Sequence, residues 1–152
     1  MVFFDSNVLV YIATNQDAAK KKVALELVAS AVGSQNGFIS LQVLREVANC
    51  MFKKSKDPSR RIRETLSGFD ALDCLGDSRE LLDRGLDIKD QYGIQFYDAL
   101  IVASAEAAGC DTIYSEDMGA GQIYCGIRIV NPFKTVDDYE HQDCKERKTC
   151  DD

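Results

Sequence analysis

Near the start of the chain, Val2-Phe3-Phe4-Asp5-Ser6-Asn7-Val8-Leu9-Val10 sets three polar residues between two apolar runs. The apolar run 2–4 stops at Asp5-Ser6-Asn7, three good helix-capping residues. Apolar sequence then resumes over 8–13, so the stretch reads as a buried strand turning directly into a helix. Downstream, apolar residues at 23, 24, 27, 28, 31 and 32 carry a helical period that Gly33 to Gly37 ends. Phe38-Ile39-Ser40 reads as a short strand, followed by Leu44, Val47, Ala48, Met51 and Phe52 on one helical face. Asp57-Pro58-Ser59 interrupts, and 61–69 is helical again. Residues 71–75 form a third candidate strand and 78–92 a charged surface helix. The almost wholly apolar stretch 96–108 predicts a helix covered on most sides. Thr112-Ile113-Tyr114 and 127–130 complete the strands. Strands alternating with helices imply an α/β domain with a parallel sheet wrapped by helices.

The 152 residues are 45% hydrophobic, enough for one domain that folds without disulfides or a structural metal. No apolar run approaches the ~18 residues of a membrane span, and Met1 to Asp5 lacks the basic segment of a signal peptide, so no membrane partner and a cytoplasmic location are expected. Six cysteines without a C-x-x-C pair read as reduced thiols, mostly small core residues. The single histidine, His141, lies in a very polar stretch. Chemistry that needs imidazole in the folded body, from Ser-His-Asp triads to H-E-x-x-H zinc sites, is thereby excluded. Carboxylates must do the work of any catalysis.

In an open α/β sheet, ligands bind at the carboxyl ends of the strands, which singles out acids at strand-to-helix junctions. Three qualify: Asp5 after the first strand, Asp98 at the start of the apolar helix, and Asp117 just after 112–114. Each also has an ordinary reading, as a helix cap, a first-turn acid that suits the helix dipole, and a loop acid respectively. Glu46 lies early in a helix at the same end of the sheet, although a helical wheel puts it about 170° from the stripe centred on Leu44, Val47, Ala48, Met51 and Phe52. Converging acids repel one another, and no lysine or arginine adjoins Asp5, Asp98 or Asp117 in sequence. A divalent ion is then the economical counter-charge, and oxygen-only ligands favour magnesium or manganese over zinc.

The strings FFDSNVLVY (3–11), SLQVLREVAN (40–49), FYDALIVASAEAAGCDTIYSEDM (96–118) and GIRIVNPF (126–133) together resemble a PIN domain, most like the VapC-type ribonuclease toxins. The similarity covers about residues 1–133. It implies a small Rossmann-like domain over 1–136, with a central parallel sheet and helices on both faces, and a magnesium- or manganese-dependent endoribonuclease. By position, Asp5, Glu46, Asp98 and Asp117 match the family's acidic metal-binding and catalytic residues. Asn7 matches the polar residue that orders the site, and Ser115 the Ser or Thr two residues before the last aspartate. For Glu46 the resemblance overrules the helical wheel. The toxin likeness further implies a small antitoxin partner and a homodimer.

The net charge of −7 argues at first against RNA, yet residues 137–152, a polar and mobile tail by composition, account for −4 of it. Between Arg45 and Arg63 seven basic residues stand against Glu46 and Asp57. Of these, Lys53, Lys54, Arg60 and Arg61 are candidate phosphate contacts, with Lys20-Lys21-Lys22 a second possibility; a solvated helix face is the bland reading. Gly119-Ala120-Gly121 is not a phosphate loop, because residues 122–125 lead toward a strand and not a helix. His141, Asp143, Cys144 and Cys150 match no zinc spacing. Two rival functions stay open. One is an inactive PIN-like module binding RNA or protein; the other is a phosphatase of the haloacid dehalogenase type, for which Asn7 stands where a second aspartate is needed.

Overall fold

A computed structural model of the chain describes residues 1–134. Six strands and six helices run in the order β1 (Val2–Phe4), α1 (Ser6–Ala13), α2 (Ala18–Gly33), β2 (Gly37–Ser40), α3 (Leu41–Cys50), α4 (Ser59–Ser67), β3 (Asp73–Leu75), α5 (Arg79–Tyr92), α6 (Phe96–Ala107), β4 (Thr112–Tyr114), β5 (Ile123–Tyr124) and β6 (Ile127–Val130). A π-helical turn, Met51–Ser55, continues α3. The sheet order is β3-β2-β1-β4-β6-β5, parallel throughout except for the edge strand β5.

Strand β1 lies between β2 and β4, and Phe3 and Phe4 are fully buried. From β1 the chain moves through α1 and α2 to β2 and on to β3, then returns past β1 through α5 and α6 to β4. With right-handed crossovers, steps in opposite directions place their helices on opposite faces of the sheet. The direction reverses between β1 and β4, so a crevice opens at their carboxyl ends. Helix α6 buries Ala99 and the run 101–105, as its apolar sequence requires.

Three details depart from the expectations of sequence. The last strand is preceded by an antiparallel one: Cys125 and Gly126 both have positive φ, 52° and 76°, and make a two-residue hairpin turn without the usual Asn-Gly signature. The cysteines are not mostly core residues. Of the four described, only Cys110 is buried, and Cys74 on edge strand β3 is exposed. Helix α3 turns its Val43, Val47 and Met51 edge to the core, while Leu44 and Ala48 are only half-buried and Phe52 is exposed. The tail 137–152, with His141, Asp143, Cys144 and Cys150, lies outside the described residues. Among the described residues, no helix is long and apolar enough to cross a membrane.

Candidate active site

Pairing of β1 with β4 sets Phe4 opposite Tyr114, so the next residues on the two strands, Asp5 and Ser115, meet where the sheet ends. The backbone N–H of Asp5 still donates to Tyr114 O at 3.0 Å. Ser115, wholly buried, donates its hydroxyl to Asp5 Oδ2 at 2.7 Å. Asp5 also caps α1, taking the N–H of Ser6 on Oδ1 at 2.7 Å. The cap reading therefore holds for Oδ1, while Oδ2 is taken by the Ser115 hydroxyl.

Asn7, in the first turn of α1, ties the neighbouring loop to this pair. Its Nδ2 lies 3.3 Å from each of Asp5 Oδ2, Ser115 Oγ and Asp117 Oδ2, while its Oδ1 accepts from Glu116 N at 3.2 Å. Ser115 Oγ in turn accepts from the N–H of Asp117 at 3.2 Å. Asn7 and Ser115 thus fix Asp5 against Asp117, whose side chain reaches solvent.

Asp98 sits in the first turn of α6 and is partly buried. Glu46 is partly buried as well, and accepts from Gln42 Nε2 at 3.0 Å; the same amide reaches Tyr97 O at 3.3 Å, one residue before Asp98. The helical wheel misplaced Glu46 because it included Leu44, Ala48 and Phe52. Centred on the buried residues Val43, Val47 and Met51, the stripe lies only about 100° from Glu46, at the flank of the helix rather than its back.

The acids act on one another electrostatically. Burial raises the Asp5 carboxyl from 3.8 to about 6, against the lowering effect of the Ser115 and Ser6 hydrogen bonds, with Glu46 and Asp98 adding to the rise. Asp98 is also raised, by burial and then by Asp117 and Glu46. Among the described residues no three His, Cys, Asp or Glu side chains stand close enough together to hold a metal ion as they are. The fit to a hard divalent cation is one of donor type and charge: all ligand atoms are oxygen, and Asp5 has accepted three hydrogen bonds against a capacity of about four.

The family model for the PIN domain matches residues 2–124. The chain belongs to the PIN domain family. Its fold recurs in solved structures of low sequence identity. VapC20 of Mycobacterium tuberculosis, a toxin that cleaves the sarcin-ricin loop, is 18% identical at a TM-score of 0.62, with 84% of this chain and 99% of that one covered. A toxin-antitoxin complex from Klebsiella pneumoniae gives 17% and 0.64, covering 87% and 98%. VapBC2 from Rickettsia felis, bound to a DNA fragment from its promoter, gives 18% and 0.63, covering 86% and 98%. No curated protein matches the sequence at a significant level. PIN membership sets aside the haloacid dehalogenase reading.

This PIN domain has a cleft of about 380 Å³ whose lining includes Asn7, Tyr11, Glu46, Lys54, Glu116 and Asp117, with Asp5 and Asp98 outside that lining. Tyr11 and Glu116 carried no signal in the sequence. The Tyr11 hydroxyl donates to Glu116 Oε2 at 2.7 Å, and Lys20 pairs with Glu116 Oε1 while lying over the rings of Tyr11 and Phe133. Burial and the Glu116 hydrogen bond push the Tyr11 phenol up to about 12. Lys20 is therefore bound up in the wall of the PIN cleft rather than held out on a basic surface. Of the four basic candidates, only Lys54 lines the cleft. Lys53 is exposed beside it, Arg60 pairs with Glu64, and Arg61 with Asp57.

Proposed function

We propose that the protein is a magnesium- or manganese-dependent endoribonuclease that hydrolyses RNA phosphodiester bonds, and the toxin of a toxin-antitoxin pair. The observation that carries this reading is the electrostatic coupling of Asp5, Glu46 and Asp98, with Asp117 acting on Asp98, at the carboxyl end of a PIN-family sheet. These four would hold the ion. When bound, a divalent ion at such a site polarises a phosphoryl oxygen, lowers the pKa of a coordinated water and stabilises the leaving alkoxide.

The protein's own groups contribute orientation and charge. Ser115 and Asn7 donate to Asp5 Oδ2 and Ser6 N–H to Oδ1, which fixes the carboxylate in one orientation. With the Asp5 carboxyl at about 6, Asp5 is mainly ionised at neutral pH and presents charge to a cation. Gln42 anchors Glu46 to the backbone beside Asp98, which ties α3 to the start of α6. Lys53, Lys54, Arg60 and Arg61 attract the RNA backbone without reading its sequence.

The domain of 1–136 with its tail, a homodimer, a cytoplasmic location and a small antitoxin that blocks the cleft belong to the same reading. Antitoxin pairing draws support from the toxin-antitoxin complexes that share the fold. The rival reading, an inactive module that binds RNA or protein, draws on the spacing of the acids, which are not gathered as they stand.

Total cellular RNA incubated with the pure protein separates the two. Cleavage with magnesium or manganese, lost with chelator and lost in Asp5→Asn, is the expected result. Chelator-resistant cleavage by Asp5→Asn would overturn the proposal, and RNA retention without product under every condition would favour the inactive module.

A further inference from the structure

The π-helical turn that continues α3 sets up a second observation in the cleft. Glu46, Cys50 and Lys54 all line it, at positions i, i+4 and i+8. In an uninterrupted α-helix each i+4 step drifts by about 40°, so Lys54 would stand about 80° away from Glu46. A π-helical turn closes i to i+5 and wraps more residues per turn, which reverses that drift. Met51–Ser55 is this turn, ending at Lys56 in the left-handed region with φ 52°. Its effect is to bring Lys54 back into line with Glu46, while Lys53 and Lys56 stay outside the cleft.

Across the cleft mouth, Lys54 Nζ donates to Gln16 Oε1 at 3.1 Å, on the connection between α1 and α2. Among the described residues the ammonium is in no salt bridge, although Glu46 and Asp117 line the same cavity. A lysine has three donors, and Gln16 takes one. A cation held at the edge of an acidic cleft, with donors to spare, suits a ligand that brings its own negative charge to the acids.

We propose that the π-helical turn makes Lys54 a substrate-binding residue, its ammonium taking the non-bridging oxygens of an RNA phosphate beside the acidic centre. Lys54 is thereby distinct from Lys53, Arg60 and Arg61, whose contribution is long-range attraction. The inference rests on the ribonuclease reading for its substrate, and its test is separable from it.

Binding of a short labelled single-stranded RNA is measured by anisotropy over a salt series in the Asp5→Asn background, where no product forms. Lys54→Gln keeps a donor for Gln16 and removes the charge; Lys53→Gln is the control and Lys54→Arg the rescue. Lys54→Gln is expected to weaken binding several-fold and to flatten the slope of log affinity against log salt by about 0.7, one single-strand phosphate contact. Lys53→Gln, which loses only long-range attraction, should weaken binding and flatten the slope clearly less than Lys54→Gln does, and Lys54→Arg should restore both. In cleavage by the otherwise native enzyme, Lys54→Gln should raise KM with kcat nearly unchanged. Equal effects of Lys54→Gln and Lys53→Gln, or a loss of thermal stability with RNA affinity intact, would overturn the proposal. Lys54-dependent binding without cleavage by the wild type would instead count against the ribonuclease reading and leave Lys54 in place.

Discussion

The phenol of Tyr11 donates to Glu116 Oε2 at 2.7 Å, joining α1 to the loop between Ser115 and Asp117 across 105 residues of sequence. Lys20, from α2, closes on the other oxygen of the same carboxylate, so Glu116 accepts from two helices. Glu116 also donates its backbone N–H to Asn7, and Asp117 is the next residue along the chain. The bracket, itself part of the cleft wall, therefore holds the backbone that presents Asp117.

Tyr11→Phe removes the bond and keeps the ring, which packs edge-on against Phe133 with centroids 4.9 Å apart. A hydrogen bond to a charged acceptor contributes about 1.5–3 kcal/mol, of which solvent access at this partly buried site leaves about 1–2. The variant should unfold at lower urea, and its kcat should fall more than its KM changes. Native kcat in Tyr11→Phe would show that Asp117 needs no such support.

Ser115→Ala tests the buried hydroxyl. Its hydrogen bond opposes the rise of the Asp5 carboxyl, so its loss should carry that group above its present value of about 6. The acidic limb of the pH–activity profile should then move to higher pH, and Ser115→Thr should move it back. An unshifted limb with normal activity would exclude Asp5 as the group that sets it.

Gly37→Ala probes the sheet independently of the cleft. A Cβ on Gly37 would meet Leu72 Cδ2 at 2.6 Å and Ala31 Cβ at 3.0 Å, and the alanine methyl has no rotamer by which to retreat. Overpacking of this kind costs about 1–3 kcal/mol. Urea unfolding should register that loss, while cleavage per folded molecule stays unchanged.

Asp5, Asp98 and Asp117 were legible as candidates because strand ends and helix starts are local patterns, and an α/β sheet sends the carboxyl ends of its strands to one side. Glu46 was not legible by periodicity, since the apolar residues of α3 spread wider than its buried edge. Residues governed by tertiary contact were silent or misread: Tyr11 and Glu116 carried no signal and Lys20 read as a basic surface residue, because the three meet only after α1, α2 and β4 assemble. Lys54 was visible as charge but not as a cleft residue, because periodic reading assumes an α-helix where the chain makes a π-helical turn. The β5 hairpin escaped for a similar reason, with Cys125 taking a positive φ that sequence rules reserve for Asn or Gly.

Asp5→Asn should be more stable than the wild type above neutral pH, for the same reason that it should be inactive. Its carboxyl sits near 6 in the folded chain and near 3.8 as a free side chain. Below about pH 4 both states hold the proton and burial of the group carries no charge penalty. As pH rises through 6 the folded protein must ionise a buried carboxylate, and stability is lost, up to about 3 kcal/mol for a shift of this size. Asparagine cannot ionise, and its side chain can still accept from Ser6 N–H. Urea unfolding with chelator present should therefore give similar midpoints for the two proteins near pH 4 and a higher midpoint for Asp5→Asn at pH 8. Magnesium should raise the wild-type midpoint at pH 8 and leave Asp5→Asn nearly unmoved, because a cation bound to the folded state offsets the same charge. A wild type that matches or exceeds Asp5→Asn at pH 8 without metal would mean that Asp5 is not the strained carboxylate its burial describes.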